Sequence, residues 1–181
     1  EENIIISTKN QSRASQEDII AQALKLHSEG NIIETKKYYE YILSQGCTDH
    51  RIFSNYGNIL NNLGRLDEAL MAQRKAIKIN PDFALAHYNL GKVLKDTGKL
   101  NDAEISVRKA IEKTPNFLEA YYLLGNILRD MGKLKEAEIS QRKAIKINPD
   151  FANAHSNLGI ILRDLGKLKE AEISQRRAIE I

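Results

Sequence analysis

The 181-residue sequence is poor in the residues that mark special environments: it has one cysteine, no tryptophan and three prolines. A single cysteine, Cys47, excludes an intramolecular disulfide and any site built from several cysteines, and it fits a reducing compartment. The longest apolar run near the start, Ile4 to Ile6, is far shorter than a signal-peptide core of about 7–15 residues or a membrane span of about 20. We therefore expect no membrane insertion and predict a cytoplasmic protein.

A large excess of positive or negative charge is also lacking. The 27 Lys and Arg residues exceed the 24 Asp and Glu residues by three, and the two signs alternate along the chain. No block of like charge indicates a nucleic-acid or acidic-membrane surface, so neither partner is expected. The 42% apolar and 28% charged residues are an ordinary soluble composition, and the chain is long enough to bury a core.

Signatures of catalysis are missing as well. The sequence has no H-E-x-x-H, no phosphate-binding glycine loop followed by Lys-Ser or Lys-Thr, and no Ser-His-acid grouping at a recognisable turn. Its histidines are His27, His50, His87 and His155; the last two lie two repeats apart, too far to share one metal ion, and are expected to pack as rings. We predict no catalytic residue, no metal site and no cofactor, and therefore no enzyme.

What the sequence does contain is a repeat with a fixed offset of 34 residues. Residues 128–147 and 162–181 differ at three of twenty positions, which indicates duplication of a structural unit. The series at this offset are Pro81, Pro115 and Pro149; Gly57, Gly91, Gly125 and Gly159; Gly30, Gly64, Gly98, Gly132 and Gly166; Ala69, Ala103, Ala137 and Ala171; and Ala76, Ala110, Ala144 and Ala178.

Each unit is predicted to form two helices. Apolar residues recur at steps of three and four, as at Ala103, Val107 and Ala110, and no strand-like alternation is present. A glycine between the halves, such as Gly98, suits the left-handed residue that ends a helix, and a proline such as Pro115 cannot continue the helix before it. Two stops per period predict a helical hairpin, and the small residues allow its two helices to approach closely.

The unit [aromatic/His]-x-x-Leu-Gly-x-x-Leu, followed by Gly, two Ala and Pro, resembles the tetratricopeptide repeat (TPR) pattern. This resemblance implies an all-α fold, a right-handed α-solenoid of five helical hairpins. The first unit is degenerate, with Thr35 and Ile42 in place of the small residues. We predict a flexible N-terminal arm at residues 1–15. Five repeats follow, at residues 16–49, 50–83, 84–117, 118–151 and 152–181.

The resemblance implies that the first helix of each hairpin lines a concave groove, where ligands of TPR proteins usually lie. An asparagine amide matches the donor and the acceptor of a peptide unit, so repeated asparagines could hold an extended chain. The Asn-Leu-Gly arrangement is similar to the asparagine ladder in the repeats of O-linked N-acetylglucosamine transferases, with Leu123 as a break. Alternatively, the asparagines are tolerated polar residues inherited by duplication. The predicted groove residues are Asn55, Asn58, Asn89, Lys92, Lys95, Asn126, Arg129, Asn157 and Arg163.

Lys95, Arg129 and Arg163 form a basic row that could accept carboxylates or phosphates of a ligand. An aspartate directly follows each of them, and cations in the last turn of a helix are also expected from the helix dipole. We therefore expect a mild preference for acidic groups. The family's clamp for a C-terminal carboxylate is not predicted, because Ile20 and Leu24 occupy the positions that it needs to be basic.

The leading hypothesis is a protein-protein interaction scaffold that binds an extended protein or peptide segment in the groove. The alternative is the N-terminal, substrate-recruiting or assembly region of a larger glycosyl-, sulfo- or methyltransferase. A third possibility is self-association through the C-terminal end, where no polar helix covers the last hairpin. Nucleic-acid binding is not expected, because pentatricopeptide arrays have a period of 35 and need recurring base-reading pairs.

Overall fold

The computed structural model describes residues 16–181, and every regular element within them is an α-helix. Each odd-numbered helix packs most extensively on the even-numbered helix that follows it, so the helices form five hairpins. The predicted all-α solenoid is confirmed, and the arm predicted at residues 1–15 lies outside the described residues. The helices are α1 Gln16–Ser28, α2 Ile32–Ser44, α3 His50–Asn62, α4 Leu66–Ile79, α5 Ala84–Asp96, α6 Leu100–Lys113, α7 Leu118–Asp130, α8 Leu134–Ile147, α9 Ala152–Asp164 and α10 Leu168–Glu180.

A glycine ends the first helix of each hairpin, as predicted. At the end of α5, Gly98 has φ 74°, a left-handed conformation that other residues adopt at a cost. The N–H of Gly98 donates to the carbonyl of Lys95 at 2.9 Å, and the N–H of Lys99 donates to that of Leu94 at 2.8 Å. These bonds satisfy the last carbonyls of α5 and turn the chain directly into α6.

Small residues set the spacing of the two helices within a hairpin. A Cβ atom added at Gly91 of α5 would overlap Cγ2 of Val107 and lie 3.4 Å from the carbonyl oxygen of Ala103, both on α6. Ala103 and Ala110 are completely buried. The α5–α6 contact is therefore a close backbone approach that a larger side chain on α5 would prevent.

The apolar core is divided along the array. The main cluster runs from Leu60 to Ile161 and joins hairpins two to five. The first hairpin contributes a separate cluster with the start of α3, in which Tyr39 and Ile42 are fully buried and Cys47 is nearly so.

The stack curves so that the first helices lie on its inner side. Contacts join α3 to α5, α5 to α7 and α7 to α9, whereas successive second helices make no contact of that extent. Helices on the inside of a curved stack lie closer together than those on the outside. We call the exposed face of α3, α5, α7 and α9 the inner surface, and that of α4, α6, α8 and α10 the outer surface.

Candidate functional site

All nine predicted groove residues lie on the four helices of the inner surface. They come from the same turns of successive helices because the 34-residue period superimposes equivalent positions. Asn55 and Asn58 lie on α3; Asn89, Lys92 and Lys95 on α5; Asn126 and Arg129 on α7; and Asn157 and Arg163 on α9.

The ladder asparagines hydrogen-bond to the preceding hairpin. Asn55 Nδ2 donates to the hydroxyl of Tyr39 at 3.3 Å, and Asn89 Nδ2 donates to Oγ of Ser54 at 3.1 Å. Asn89 is 6% exposed, so its amide is chiefly a buried link between α3 and α5. Part of the asparagine series therefore holds neighbouring hairpins in register.

The last ladder asparagine has a different kind of partner. Leu123, at the ladder position of α7, is buried, and Asn157 Nδ2 donates to Oδ1 of Asn126 at 2.7 Å. The same oxygen accepts a second bond from Nε2 of Gln141, 3.1 Å away, and that nitrogen also lies 3.2 Å from the carbonyl oxygen of Tyr122. This chain of amides joins α7, α8 and α9.

One half of each asparagine amide is left without an intramolecular partner. Within residues 16–181, no hydrogen bond reaches Oδ1 of Asn55 or Asn157, and none is made by Nδ2 of Asn58 or Asn126. Asn58 Oδ1 accepts from Nζ of Lys92 at 3.3 Å, and Lys92 forms no ion pair with a described carboxylate. The inner surface thus presents unused donors, unused acceptors and one uncompensated cation, which is what an extended polypeptide backbone can pair with.

The predicted basic row is partly neutralised within the protein. Lys95 Nζ lies 3.5 Å from Oδ2 of Asp130, and Arg129 Nη2 lies 3.4 Å from Oδ1 of the same carboxylate. Arg163 Nε lies 3.6 Å from Oδ1 of Asp164, with most of its side chain exposed. These pairs are partly open to solvent, so a ligand carboxylate would have to compete with them.

At the N-terminal end of the inner surface, Tyr39 anchors the first hairpin. Its hydroxyl lies 2.8 Å from Nδ1 of His27 and accepts the bond from Asn55. Burial raises the pKa of Tyr39 to about 12 and lowers the pKa of His27, so both are neutral near pH 7. Beside this network, α1 and α3 enclose a cleft of about 600 Å³ that Ile20 and Leu24 line.

The histidines expected to pack as rings also make polar contacts. His87 Nε2 lies 2.8 Å from the carbonyl oxygen of Pro81, and His155 Nε2 lies 2.8 Å from that of Pro149. Each ring thereby fixes the turn that precedes its helix. In residues 16–181 there is no group of three or more His, Cys, Asp or Glu side chains that could hold a metal ion. No helix in that range is long and apolar enough to cross a bilayer.

The second helices carry ion pairs that link successive hairpins. Glu104 pairs with Arg108 one turn along α6 at 2.8 Å, and Glu104 also accepts from Lys133 of the next hairpin at 2.8 Å. Arg108 in turn reaches Glu136 at 2.9 Å. The hydrogen bond from Lys133 outweighs desolvation and, with Arg108, lowers the pKa of Glu104. Four-residue spacing in a sequence can indicate a pair within one helix, whereas the links between hairpins appear only in the structure.

Residues 57–98 match a family described as TPR repeat, and residues 84–117, 118–151 and 141–173 match families described as Tetratricopeptide repeat. The chain belongs to the tetratricopeptide repeat family. Together these matches run without a gap from Gly57 to Ile173, and they agree with the resemblance seen in the repeat pattern. No curated protein sequence matches the chain.

Several solved TPR structures share the fold. A crystal structure of MamA is 23% identical over 87% of this chain and 92% of its own, with a TM-score of 0.77. MamA 41-end from Desulfovibrio magneticus RS-1 is 22% identical over 91% of this chain and 93% of its own, with a TM-score of 0.79. YrrB, described as a TPR protein with an unusual peptide-binding site, is 23% identical over 90% of this chain and 84% of its own, with a TM-score of 0.72.

Proposed function

We propose that this TPR protein is a non-enzymatic interaction scaffold that binds an extended segment of a partner polypeptide along the inner surface. The observation that carries the proposal is the set of unpartnered amide halves there. Side-chain amides that a fold uses completely offer nothing to a ligand, whereas these keep a donor or an acceptor available.

The free amide halves divide the recognition of a peptide backbone between them. Asn58 and Asn126 can donate Nδ2–H to peptide carbonyls, while Asn55 and Asn157 can accept peptide N–H groups at Oδ1. Asn89 lies deeper and acts by holding α3 and α5 in register. Such hydrogen bonds recognise the peptide backbone rather than particular side chains, so they provide affinity for many extended segments.

Lys92 gives this surface its preference for acidic ligands. The three cations of the basic row each lie beside an aspartate, with Lys95 and Arg129 sharing Asp130, but Lys92 contacts only the neutral amide of Asn58 among the described residues. A ligand carboxylate near Lys92 would meet an uncompensated charge without displacing an internal partner. YrrB shares the fold and is described as peptide-binding, which supports the class of ligand but not its identity.

The test is the affinity of a peptide selected from a random peptide library on the natural protein, measured by fluorescence anisotropy with the synthetic peptide. We expect Asn58→Ala/Asn126→Ala to weaken binding about tenfold, from two lost hydrogen bonds of roughly 0.5–1.5 kcal/mol each. Asn101→Ala/Asn116→Ala is the matched control, because both asparagines are exposed and lie away from the inner surface. Equal affinity for the two double variants would refute the assignment.

The charge preference is tested separately with Lys92→Gln. This variant should weaken the binding of an acidic peptide more than the binding of a neutral analogue in which Asn replaces Asp and Gln replaces Glu. The difference between the two effects should shrink as salt is added. An equal effect on both peptides would show that Lys92 acts through packing rather than charge.

A second candidate function, self-association, is favoured by the last hairpin. Ile179 of α10 is 84% exposed, whereas the equivalent Ile145 of α8 is half-buried against the next hairpin. Another copy that stacked on this surface would cover it. Light scattering across a concentration range should then show an increase in mass that Ile179→Ser abolishes; a constant monomer mass would exclude it.

A further inference from the structure

A row of large apolar side chains crosses the outer surface, opposite the proposed peptide groove. Met71, Ile105, Ile139 and Ile173 occupy the same position of α4, α6, α8 and α10, at the 34-residue period. They are 73%, 57%, 65% and 68% exposed. Single exposed apolar residues are common, but four in register over four hairpins form a continuous feature. We call it the outer apolar row.

A row of cations runs beside it, one helical turn further along each helix: Lys75, Lys109, Lys143 and Arg177. Lys109 and Lys143 are exposed and have no carboxylate partner among residues 16–181. Lys75 lies over the ring of Phe53, 5.9 Å from its centroid. We call these residues the outer cation row.

Duplication alone does not account for this pattern. One turn before the apolar row, the equivalent exposed positions are Asp67, Asn101, Lys135 and Lys169, so the charge there changes across the first three of these hairpins. The apolar row stays large and apolar through the same hairpins, although its side chains are not needed for the core. The cation row likewise stays positive in all four.

Two members of the row border clefts at equivalent junctions between hairpins. Met71 lines a cleft of about 440 Å³, and Ile173 lines one of about 530 Å³. Apolar and aromatic side chains form much of their walls: Leu43, Phe53, Tyr56 and Leu60 beside Met71, and Ile145 and Leu158 beside Ile173. An apolar side chain from a ligand could enter either cleft next to the row.

We propose that the outer surface is a second docking site, which takes an acidic amphipathic helix of a partner protein. A helix lying across the hairpins would present its apolar face to the row. Carboxylates along one border of that helix would meet the unpartnered lysines.

A membrane surface fits these features less well. Glu136 and Glu170 are on the same helices, with side chains 53% and 52% exposed and paired with Arg108 and Arg142, so this surface lacks the uniform positive charge that an anionic bilayer favours. A helix can follow the row and leave these carboxylates in water.

The probe is a synthetic helical peptide of about 24 residues with Leu at heptad a and d positions and Glu on one border. Its partner peptide carries Lys in place of Glu. Both are titrated into the natural protein and three variants that circular dichroism shows to be folded: Ile105→Ser/Ile139→Ser, Lys109→Glu/Lys143→Glu, and the inner-surface variant Asn58→Ala/Asn126→Ala.

We expect the acidic peptide to bind at least tenfold more weakly to the isoleucine variant and to the charge-reversed variant, with unchanged affinity for the inner-surface variant. The Lys peptide should bind weakly to the natural protein and more tightly to the charge-reversed variant. Absence of saturable binding, or binding that only the inner-surface variant weakens, would overturn the proposal. So would isoleucine-dependent sedimentation with phosphatidylserine vesicles in the absence of peptide binding, which would assign the row to a membrane.

Discussion

Replacing Gly91 by alanine tests whether the close approach of α5 and α6 limits the stability of the array. In an ordinary helix interior, Gly→Ala stabilises by about 0.5–1 kcal/mol because alanine has less backbone freedom to lose. Here the new methyl would overlap Cγ2 of Val107, a β-branched side chain with little rotamer freedom that is completely buried.

The overlap should outweigh the gain in helix propensity. Overpacking a tight core costs about 1–3 kcal/mol, so the expected net change is a loss of about 1–2 kcal/mol in the free energy of unfolding. Urea unfolding followed by far-UV circular dichroism measures this loss from the shift of the midpoint at constant slope.

A double variant separates the overlap from other causes. Val107→Ala alone leaves a cavity and destabilises the array, but in the Gly91→Ala background the new methyl occupies part of that space. The double variant should therefore be more stable than the sum of the two single changes by about 1 kcal/mol or more. A Gly91→Ala variant at least as stable as the natural protein, or additive single changes, would refute the reasoning.

Three further predictions concern single contacts. Glu104→Gln should destabilise the array at pH 7, because the lowered pKa of Glu104 means that folding favours its ionised form. The carboxylate's contribution is complete above its unfolded pKa of about 4.5 and is lost as pH falls through its lower folded pKa. The stabilities of the two proteins should therefore converge in acid, and parallel curves of stability against pH would contradict this. Tyr39→Phe removes the hydroxyl shared by His27 and Asn55 and should cost about 1–3 kcal/mol in urea unfolding; an unchanged midpoint would show that the network adds nothing. Gly98→Ala should cost about 1 kcal/mol because φ is positive there, and a stabilised variant would contradict the assigned turn.

The hairpins could be predicted because two independent signals in each period agree. The apolar spacing indicates helices, and a glycine such as Gly98 ends the first one. Both signals depend on local backbone preferences, which a sequence displays directly. The small residues gave a third, since Gly91 and Ala103 mark the face where two backbones meet.

The hydrogen bonds of the inner surface could not be predicted in the same way. Whether Asn89 faces a ligand or Ser54 depends on how one hairpin is rotated on the next, and no local preference fixes that angle. The same holds for Asn157, which bonds to Asn126 rather than to Tyr122, the residue equivalent to Ser54. The peptide-binding role of these residues remains a prediction.

The outer apolar row is visible in the sequence, but its spacing does not distinguish it from core positions. Met71, Ile105, Ile139 and Ile173 share the 34-residue offset, and a helical pattern counts any apolar residue at that spacing as a core candidate. The exposure of each side chain separates them from true core positions such as Ala103. Repeats should therefore be compared position by position, with the degree of exposure considered alongside the period.

The separate core of the first hairpin gives the array a seam. Tyr56 borders both clusters, and α3 gives Ile52 and Ile59 to the first one. We therefore expect α1 and α2 to open before the main cluster does, at the cost of exposing these two side chains of α3. Cys47, the protein's single thiol, is buried in the first cluster and would become reactive when the seam opens. The rate at which a thiol reagent labels Cys47 therefore reports how often the first hairpin opens. A peptide that bridges α1 and α3 should lower this rate.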